Sequence, residues 1–181
     1  MTPAVRAVPT GDLRPGEVAA LRALFDAAWA DEGDRFTDED WQHTIGGVHF
    51  ILEEDGEIRS HASVIERELH VGDRRLRTGY VEAVATWPAS QRRGYGSAVM
   101  WEVASQVDRM FRLGALATGL PGFYEPLGWV VWKGPTYVRT DEGPVRTAED
   151  DGGVMVRFTP SSPALDLSAP ISCEWRPGDV W

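Results

Sequence analysis

Apolar positions first gather in a short run, Ala4 to Val8, ahead of Pro9, and then spread to helical spacing, with Val18, Leu21, Leu24, Phe25 and Ala28 between Pro15 and Trp29. This pattern predicts a strand followed by an amphipathic helix. Thr37-Asp38-Glu39-Asp40 has capping-box spacing, with Asp40 in place of the usual glutamate, and predicts a second, short helix through Trp41 to Ile45 that Gly46-Gly47 ends. From Val48 to Val71 the pattern turns strand-like, and Asp55-Gly56 reads as the hairpin turn between Val48 to Glu54 and Glu57 to Val71. Gly72-Asp73 marks the next turn. Arg74 to Trp87 then holds the mostly apolar run Tyr80 to Ala85, expected centrally in a sheet and closed by Pro88. These three runs predict an antiparallel meander.

Val99, Met100, Val103, Val107, Met110 and Phe111 share one helical stripe, which predicts a helix from Ser97 to Phe111. Leu113 to Thr118 reads as a short buried strand, Phe123 to Leu127 as a helical turn ended by Gly128, and Trp129 to Trp132 as another strand. Strand, helix and strand in succession predict a parallel pair. Gly143 to Gly153 reads as a polar, acidic loop, Val154 to Phe158 as a strand, Thr159 to Ser168 as a surface connection, and Ile171 to Trp175 as a last strand. The expected fold class is α/β in the α+β sense, a mixed central sheet with antiparallel N-terminal strands and a parallel pair, flanked by helices.

With 181 residues, 43% of them hydrophobic, the chain supports one substantial core, and a single domain over 1–181 is expected. The first residues hold no apolar run of signal-peptide length, and no stretch approaches the ~18 apolar residues of a membrane span, so a cytoplasmic protein is expected. The single cysteine, Cys173, forms no internal disulfide and excludes a multi-cysteine metal site; no metal is expected. The net charge of -10 repels phosphate backbones and anionic lipid, which disfavours nucleic acid and membrane as partners and favours a cationic one. Excess acid for solubility explains the same charge. A homodimer is left open.

Gln91-Arg92-Arg93-Gly94-Tyr95-Gly96 falls between the strand that Pro88 closes and the helix from Ser97. A glycine-containing turn that opens a helix there aims unpaired backbone N–H groups and the positive end of the helix dipole at one point, which suits phosphate. Gly94 and Gly96 admit a ligand close to the backbone, and Arg92 and Arg93 add charge. The dinucleotide fingerprint is disfavoured because Val99 stands where its third glycine belongs, and a nucleoside triphosphate loop because Lys133 is followed by Gly134-Pro135. Residues 91–96, with the strand before, the helix after and the later Phe123-Tyr124-Glu125-Pro126-Leu127-Gly128-Trp129, resemble the GNAT N-acetyltransferase superfamily. That resemblance implies acetyl-CoA as acyl donor, its pyrophosphate on this turn, and a parallel pair that splays apart.

Acyl transfer from a thioester to an amine needs an unprotonated amine, a stabilised oxyanion and a protonated leaving thiolate. Glu82, an acid inside an apolar strand, is the candidate base, acting through water; a plain ion pair with Arg77 or Arg67 is the alternative. Tyr124 is the candidate acid, a buried core aromatic the alternative. The resemblance also places the backbone N–H of Val84 against the pantetheine arm. Acids collect in separate segments, at Asp31, Glu32, Asp34 and Asp38 to Asp40, then Glu149 to Asp151, and finally Asp179; convergence on one cleft would hold a polyamine sugar, whereas a solvated surface explains any one cluster. The ending Cys173 to Trp181 carries two tryptophans and a valine that are costly to leave in water, so the tail is expected to dock.

Almost the whole chain resembles the aminoglycoside 2'-N-acetyltransferases, on Asp40-Trp41-x-His43-Thr44-x-Gly46-Gly47, Gly79-Tyr80-Val81-Glu82, Leu113 to Leu116, Gly134-Pro135-Thr136, Asp150-Asp151-Gly152 and Trp175-Arg176-x-Gly178-Asp179-Val180-Trp181. The resemblance implies Glu82 and the Trp181 carboxylate at the reacting amine and Tyr124 as acid. It makes Asp40, Asp150 and Asp179 aminoglycoside contacts, and Val84 with Gln91, Arg92, Arg93, Gly94, Tyr95, Gly96 and Ser97 cofactor contacts. Two departures fall in the acceptor site. Arg35 stands where these enzymes place an acid before Phe-Thr, leaving Asp34 as the candidate, and Thr118 is the substitute for a serine expected near Ala117. The alternatives are a GNAT enzyme for another small polyamine or cell-wall precursor, and an acyl-CoA-binding module without turnover.

Overall fold

The structure, a computed structural model, describes residues 4–30 and 35–181, so Asp31, Glu32 and the candidate substrate contact Asp34 lie outside the described residues. Two compact units emerge, one from Met1–Ile65 and Val81–Val103, the other from Glu66–Tyr80 and Ala104–Trp181. Along the chain the elements are β1 (Val5–Pro9), α1 (Pro15–Ala28), α2 (Asp38–Thr44), β2 (Val48–Glu54), β3 (Glu57–Val71), β4 (Arg74–Thr86), α3 (Tyr95–Met110), β5 (Leu113–Ala117), α4 (Pro121–Tyr124), β6 (Val130–Val131), β7 (Thr136–Thr140), β8 (Gly143–Arg146), β9 (Val154–Arg157) and β10 (Ile171–Glu174). The chain passes from one unit to the other inside β3, β4 and α3.

In the first unit, β1 pairs antiparallel with β2, and β2 with the start of β3, Val48 lying opposite Val64. Asp55 and Gly56 both have positive φ, 55° and 77°, the paired left-handed geometry of a tight hairpin turn that their sequence predicts. Helix α1 starts at Pro15, whose missing N–H costs nothing at the first helical position, and the Glu17 carboxylate accepts from the Arg14 backbone N–H at 2.8 Å. Its apolar stripe, Leu21, Leu24 and Phe25, is fully buried and joins Val8, Ile51, Ile58 and Ala85 in one core. Each such side chain contributes roughly 1.5–3 kcal/mol by leaving water. Helix α2 opens on the expected capping box, with the Asp40 N–H donating to Thr37 Oγ1 at 3.2 Å and the Thr37 N–H to Asp40 Oδ2 at 2.7 Å.

In the second unit the strand order is β6-β9-β5-β4-β3-β10-β7-β8. Strands β4 and β5 are parallel, Thr78 opposite Leu113, with α3 as the crossover between them. The end of that helix lies so close to the sheet that a Cβ on Gly79 would sit 2.7 Å from the Phe111 ring and one on Gly114 2.9 Å from Val107. Strands β5 and β6 do not pair. Each is antiparallel to β9, which inserts between them. The Gly143 to Gly153 segment is no simple loop, since it holds β8 and a 3-10 turn at Ala148–Asp150, and β7 was not expected at all. Strand β8 is almost wholly exposed, so it has no buried face to give its sequence an alternating pattern.

Candidate active site

Strand β4 carries the candidate base Glu82, and the residue after it breaks strand geometry. Ala83 has φ +51°, a left-handed conformation that costs a residue with a Cβ about 1–3 kcal/mol and persists only where the surroundings hold it. The carbonyls around this bend are held by side chains of β3: Ser63 Oγ donates to Glu82 O at 3.2 Å, His61 Nδ1 meets Ala83 O at 2.8 Å, and Ser60 Oγ donates to Ala85 O at 3.0 Å. Glu82 and Val84 are both half-buried, one on each side of the bend. Of the two arginines that the sequence offers as partners for Glu82, Arg77 pairs with Glu66 at 2.7 Å and Arg67 with Glu174 at 3.1 Å.

Beyond Thr86 the chain makes a 3-10 turn at Pro88–Ser90 and enters α3 through two left-handed residues, Arg92 at φ +60° and Gly94 at φ +83°. The first N–H groups of α3, on Tyr95, Gly96 and Ser97, have no intrahelical acceptor and point out of the helix start. Gln91 to Gly94 are exposed, and the space where a Gly94 side chain would stand is open. Glu54 fixes this helix start from β2. It accepts from the buried Tyr95 hydroxyl at 2.6 Å and pairs with Arg93 at 3.3 Å, whose guanidinium lies 4.8 Å from the Tyr95 ring. Tyr95 therefore offers a ligand its backbone, and Arg93 is partly neutralised, leaving exposed Arg92 and the amide groups as the stronger donors. Open backbone amides at a helix start, with a positive charge beside them, fit a pyrophosphate.

Tyr124, the candidate acid, ends α4 and is 7% exposed. Burial pushes its phenol up to about 12, against a hydrogen bond from Thr118 that pulls the other way. The Phe123 ring packs edge-on at 4.8 Å. Tyr124 is thus both the buried core aromatic of the plainer reading and a group that keeps its proton across neutral pH. Thr118, the residue standing in for a serine, is in contact with it.

The chain end is docked, as its apolar content predicts. Trp181 is 6% exposed, its indole N–H donates to Thr147 Oγ1 at 3.0 Å, and Arg176 Nη2 donates to the terminal carboxyl oxygen at 3.3 Å. Cys173 is a small buried residue, its thiol donating to Val180 O at 3.3 Å. Burial raises the Asp150 carboxyl; Thr147 opposes this, while the carboxylates of Glu149, Asp179 and Asp151 add to it. Asp150 and Asp179 therefore share one electrostatic neighbourhood. Asp151 does not serve as an open acid, because Arg146 and Thr136 hold its carboxylate and lower it to about 2. Asp40 is half-engaged, since one of its oxygens accepts both Thr37 donors of the α2 cap.

A model of the acetyltransferase (GNAT) domain matches residues 11–132. The chain belongs to the GNAT acetyltransferase family. It is 40% identical over 180 residues to an aminoglycoside 2'-N-acetyltransferase of Mycolicibacterium fortuitum, covering 97% of this chain and 91% of that one. Among solved structures, a GNAT acetyltransferase of Brucella melitensis in complex with acetyl-CoA aligns with TM-score 0.60 at 19% identity, over 90% of this chain and 94% of that one. Escherichia coli ElaA aligns with TM-score 0.62 at 16% identity, over 86% and 99%. At those identities the structural matches speak for the fold. Among the described residues of this acetyltransferase no helix is long and apolar enough to cross a membrane, and no group of His, Cys, Asp and Glu is placed to hold a metal ion.

Several residues that build the site carried no signal in the acetyltransferase sequence. Ser60, His61 and Ser63 read as ordinary strand positions, and only their polar character on a strand with both faces buried could have pointed to the bend. Glu54 looked like the end of a hairpin arm. Arg176 was visible only inside the family-like C-terminal motif.

Proposed function

We propose that this chain acetylates the 2'-amine of an aminoglycoside with acetyl-CoA as donor. The observation that carries the acceptor is the 40% identity to the Mycolicibacterium fortuitum enzyme over 97% of the chain. The donor is supported by the left-handed Arg92 and Gly94 ahead of α3. When bound there, acetyl-CoA supplies an activated acetyl group as its thioester.

The chain's own residues do the rest in this reading. Backbone N–H groups of Arg92 to Ser97 hold the pyrophosphate, and the Val84 N–H aligns the pantetheine arm. Glu82 takes the proton from the amine through water, and Tyr124 gives one to the departing thiolate. Asp150, Asp179 and the Trp181 carboxylate hold ammonium groups of the substrate, joined by Asp40 and Asp34. No covalent enzyme intermediate is involved. A single catalytic domain over 1–181 belongs to this reading, in keeping with two compact units that are each discontinuous in the chain. A cytoplasmic location completes the reading, supported by the single cysteine, which suits a reducing compartment.

A second acceptor class, another small polyamine or a cell-wall precursor, is favoured by one feature: exposed Arg35 at the position where an acid is expected. Thiol release from acetyl-CoA, measured over a panel of amines, separates the two. Turnover confined to compounds with a 2'-amine supports the proposal; equal or faster turnover of spermidine-like amines or amino sugars without it rejects the acceptor assignment.

A further inference from the structure

Behind the β4 bend runs a buried polar chain that the reaction scheme above leaves without a part. Thr10 Oγ1 lies 3.0 Å from His49 Nε2, His49 Nδ1 lies 2.9 Å from His61 Nε2, and His61 Nδ1 lies 2.8 Å from Ala83 O. Both histidines are fully buried, one against Trp41 at 5.8 Å and the other against Phe25 at 5.1 Å between ring centres. Burial lowers them to about 4 for His49 and about 3 for His61, so both rings are neutral at physiological pH.

A neutral imidazole has one N–H and one bare nitrogen, which fixes the direction of the whole chain. A carbonyl only accepts, so His61 carries its proton on Nδ1 and presents a bare Nε2. His49 must then donate from Nδ1, and its bare Nε2 takes the single proton of Thr10. The Thr10 hydroxyl also lies 3.1 Å from Gly47 O and 3.2 Å from Thr44 O, but its proton completes the chain only when directed at His49. Ser60 and Ser63 hold the carbonyls of Ala85 and Glu82; His61 holds that of the left-handed residue itself.

We propose that the Thr10–His49–His61 chain is a positioning device for acetyl transfer, which pins the Ala83 carbonyl and so keeps the bend that aims Glu82 on one side and the Val84 amide on the other. It rests on the roles given to Glu82 and Val84 above. A histidine suits the task because its second nitrogen takes the proton of His49, which removes the alternative tautomer. Without the anchor, the left-handed Ala83 loses the bond that holds its own carbonyl, and a shift of about 1 Å at a reacting group costs on the order of a hundredfold in rate.

The test combines kinetics with ¹⁵N NMR of the histidine side chains in the full-length protein. The wild-type spectrum is expected to show His49 and His61 both protonated on Nδ1, with neither titrating between about pH 5 and pH 9. Replacement H61F keeps a ring but removes the donor, and should lower kcat by about 10- to 100-fold. H61N returns an N–H near the Nδ1 position and should recover about tenfold of that loss, a rescue that a purely structural role would not give. T10V, at the far end of the chain, should lower kcat about threefold or more and disturb the His49 signals.

In an E82Q background the H61F loss should shrink, because both changes act on one group. An Nε2–H tautomer on either ring overturns the proposal. So does wild-type kcat in both H61F and T10V while E82Q is inactive; should H61F fail to fold, wild-type kcat in T10V alone overturns it. Full activity of E82Q instead sinks the base assignment, and the tautomers and acetyl-CoA dissociation constants of H61F and H61N then judge the chain through Val84 alone.

Discussion

The indole N–H of Trp181 donates to the Thr147 hydroxyl across 3.0 Å, tying the last residue of the chain to the segment that carries Asp150. Thr147 is itself locked, its hydroxyl donating to Thr136 Oγ1 at 2.9 Å while Thr136 Oγ1 donates to Thr147 O at 2.6 Å. A terminal carboxylate is ordinarily on a frayed end. Here its oxygen accepts from Arg176 Nη2 at 3.3 Å, and the indole holds the residue to the segment in which Asp150 feels the charge of Asp179.

Loosening that hook should therefore damage acceptor binding before donor binding. Thr147→Val leaves a buried indole N–H without its acceptor and should cost about 1–3 kcal/mol of stability. Trp181→Ala, which also empties the indole site, should cost about 3–5 kcal/mol. Appending even a short C-terminal tag, which turns the carboxylate into an amide, should raise KM for the amine about tenfold or more while the acetyl-CoA dissociation constant stays put. Thermal unfolding and a pair of saturation curves check all three.

Glu82→Gln keeps the shape of the side chain and removes its basicity. With Glu82 as base, kcat should fall by about 10²–10⁴ at neutral pH, with little change in the unfolding midpoint or in acetyl-CoA affinity. A stopped assay of thiol release reads the loss directly.

Gly94→Ala isolates the backbone requirement of the helix start. The added Cβ meets nothing within 4 Å, so the whole effect comes from forcing φ +83° on a residue with a side chain. That strain is about 1–2 kcal/mol, and calorimetry should show acetyl-CoA binding weakened by about tenfold as the loop relaxes.

Most of this frame was legible in the sequence, because it is written in local patterns. The helical stripe of α1, the Thr37 cap, the Asp55-Gly56 turn and the Gly94-x-Gly96 start of α3 each declare themselves within a few residues. What stayed hidden depends on partners far along the chain. Nothing about Ala83 marks it as left-handed, since alanine is no turn residue; the bend exists because β3, twenty-two positions away at His61, supplies the donor. Strand β8 stayed hidden because an exposed edge strand has no apolar face, and the partner of the docked Trp181 indole because Thr147 is thirty-four residues upstream. Asp151, in the same acidic cluster as Asp150, is committed to Arg146 and Thr136, an engagement that only the packed structure shows.

Tyr124 should betray its burial in alkali. Its phenol holds its proton up to about 12, against 10.0 when exposed, so between those values the unfolded chain binds fewer protons than the folded one and stability falls as pH rises. Tyr124→Phe should flatten that decline and, with Tyr124 as acid, lower kcat by about a hundredfold near neutrality. Chemical denaturation at several alkaline pH values and steady-state rates report the two effects separately.

Acid should act through the buried histidines. His49 and His61 are lowered from 6.5 to about 4 and about 3 by burial, so below 6.5 the unfolded chain takes up protons that the folded chain refuses, and stability falls as pH drops toward 4. Glu17 follows at lower pH, since Arg14 and then Arg6 hold it at about 2 against 4.5, and its contribution fades between those values. An unfolding midpoint that does not move between pH 7 and pH 4 would contradict this account of the core.

The central claim, transfer of acetyl to one particular amine, is tested most directly by the product. The protein incubated with acetyl-CoA and an aminoglycoside bearing a 2'-amine should yield, by mass spectrometry, a species with one added acetyl group, and two-dimensional NMR should place it on the 2'-nitrogen. An unmodified aminoglycoside, or acetyl on any other amine, contradicts the claim.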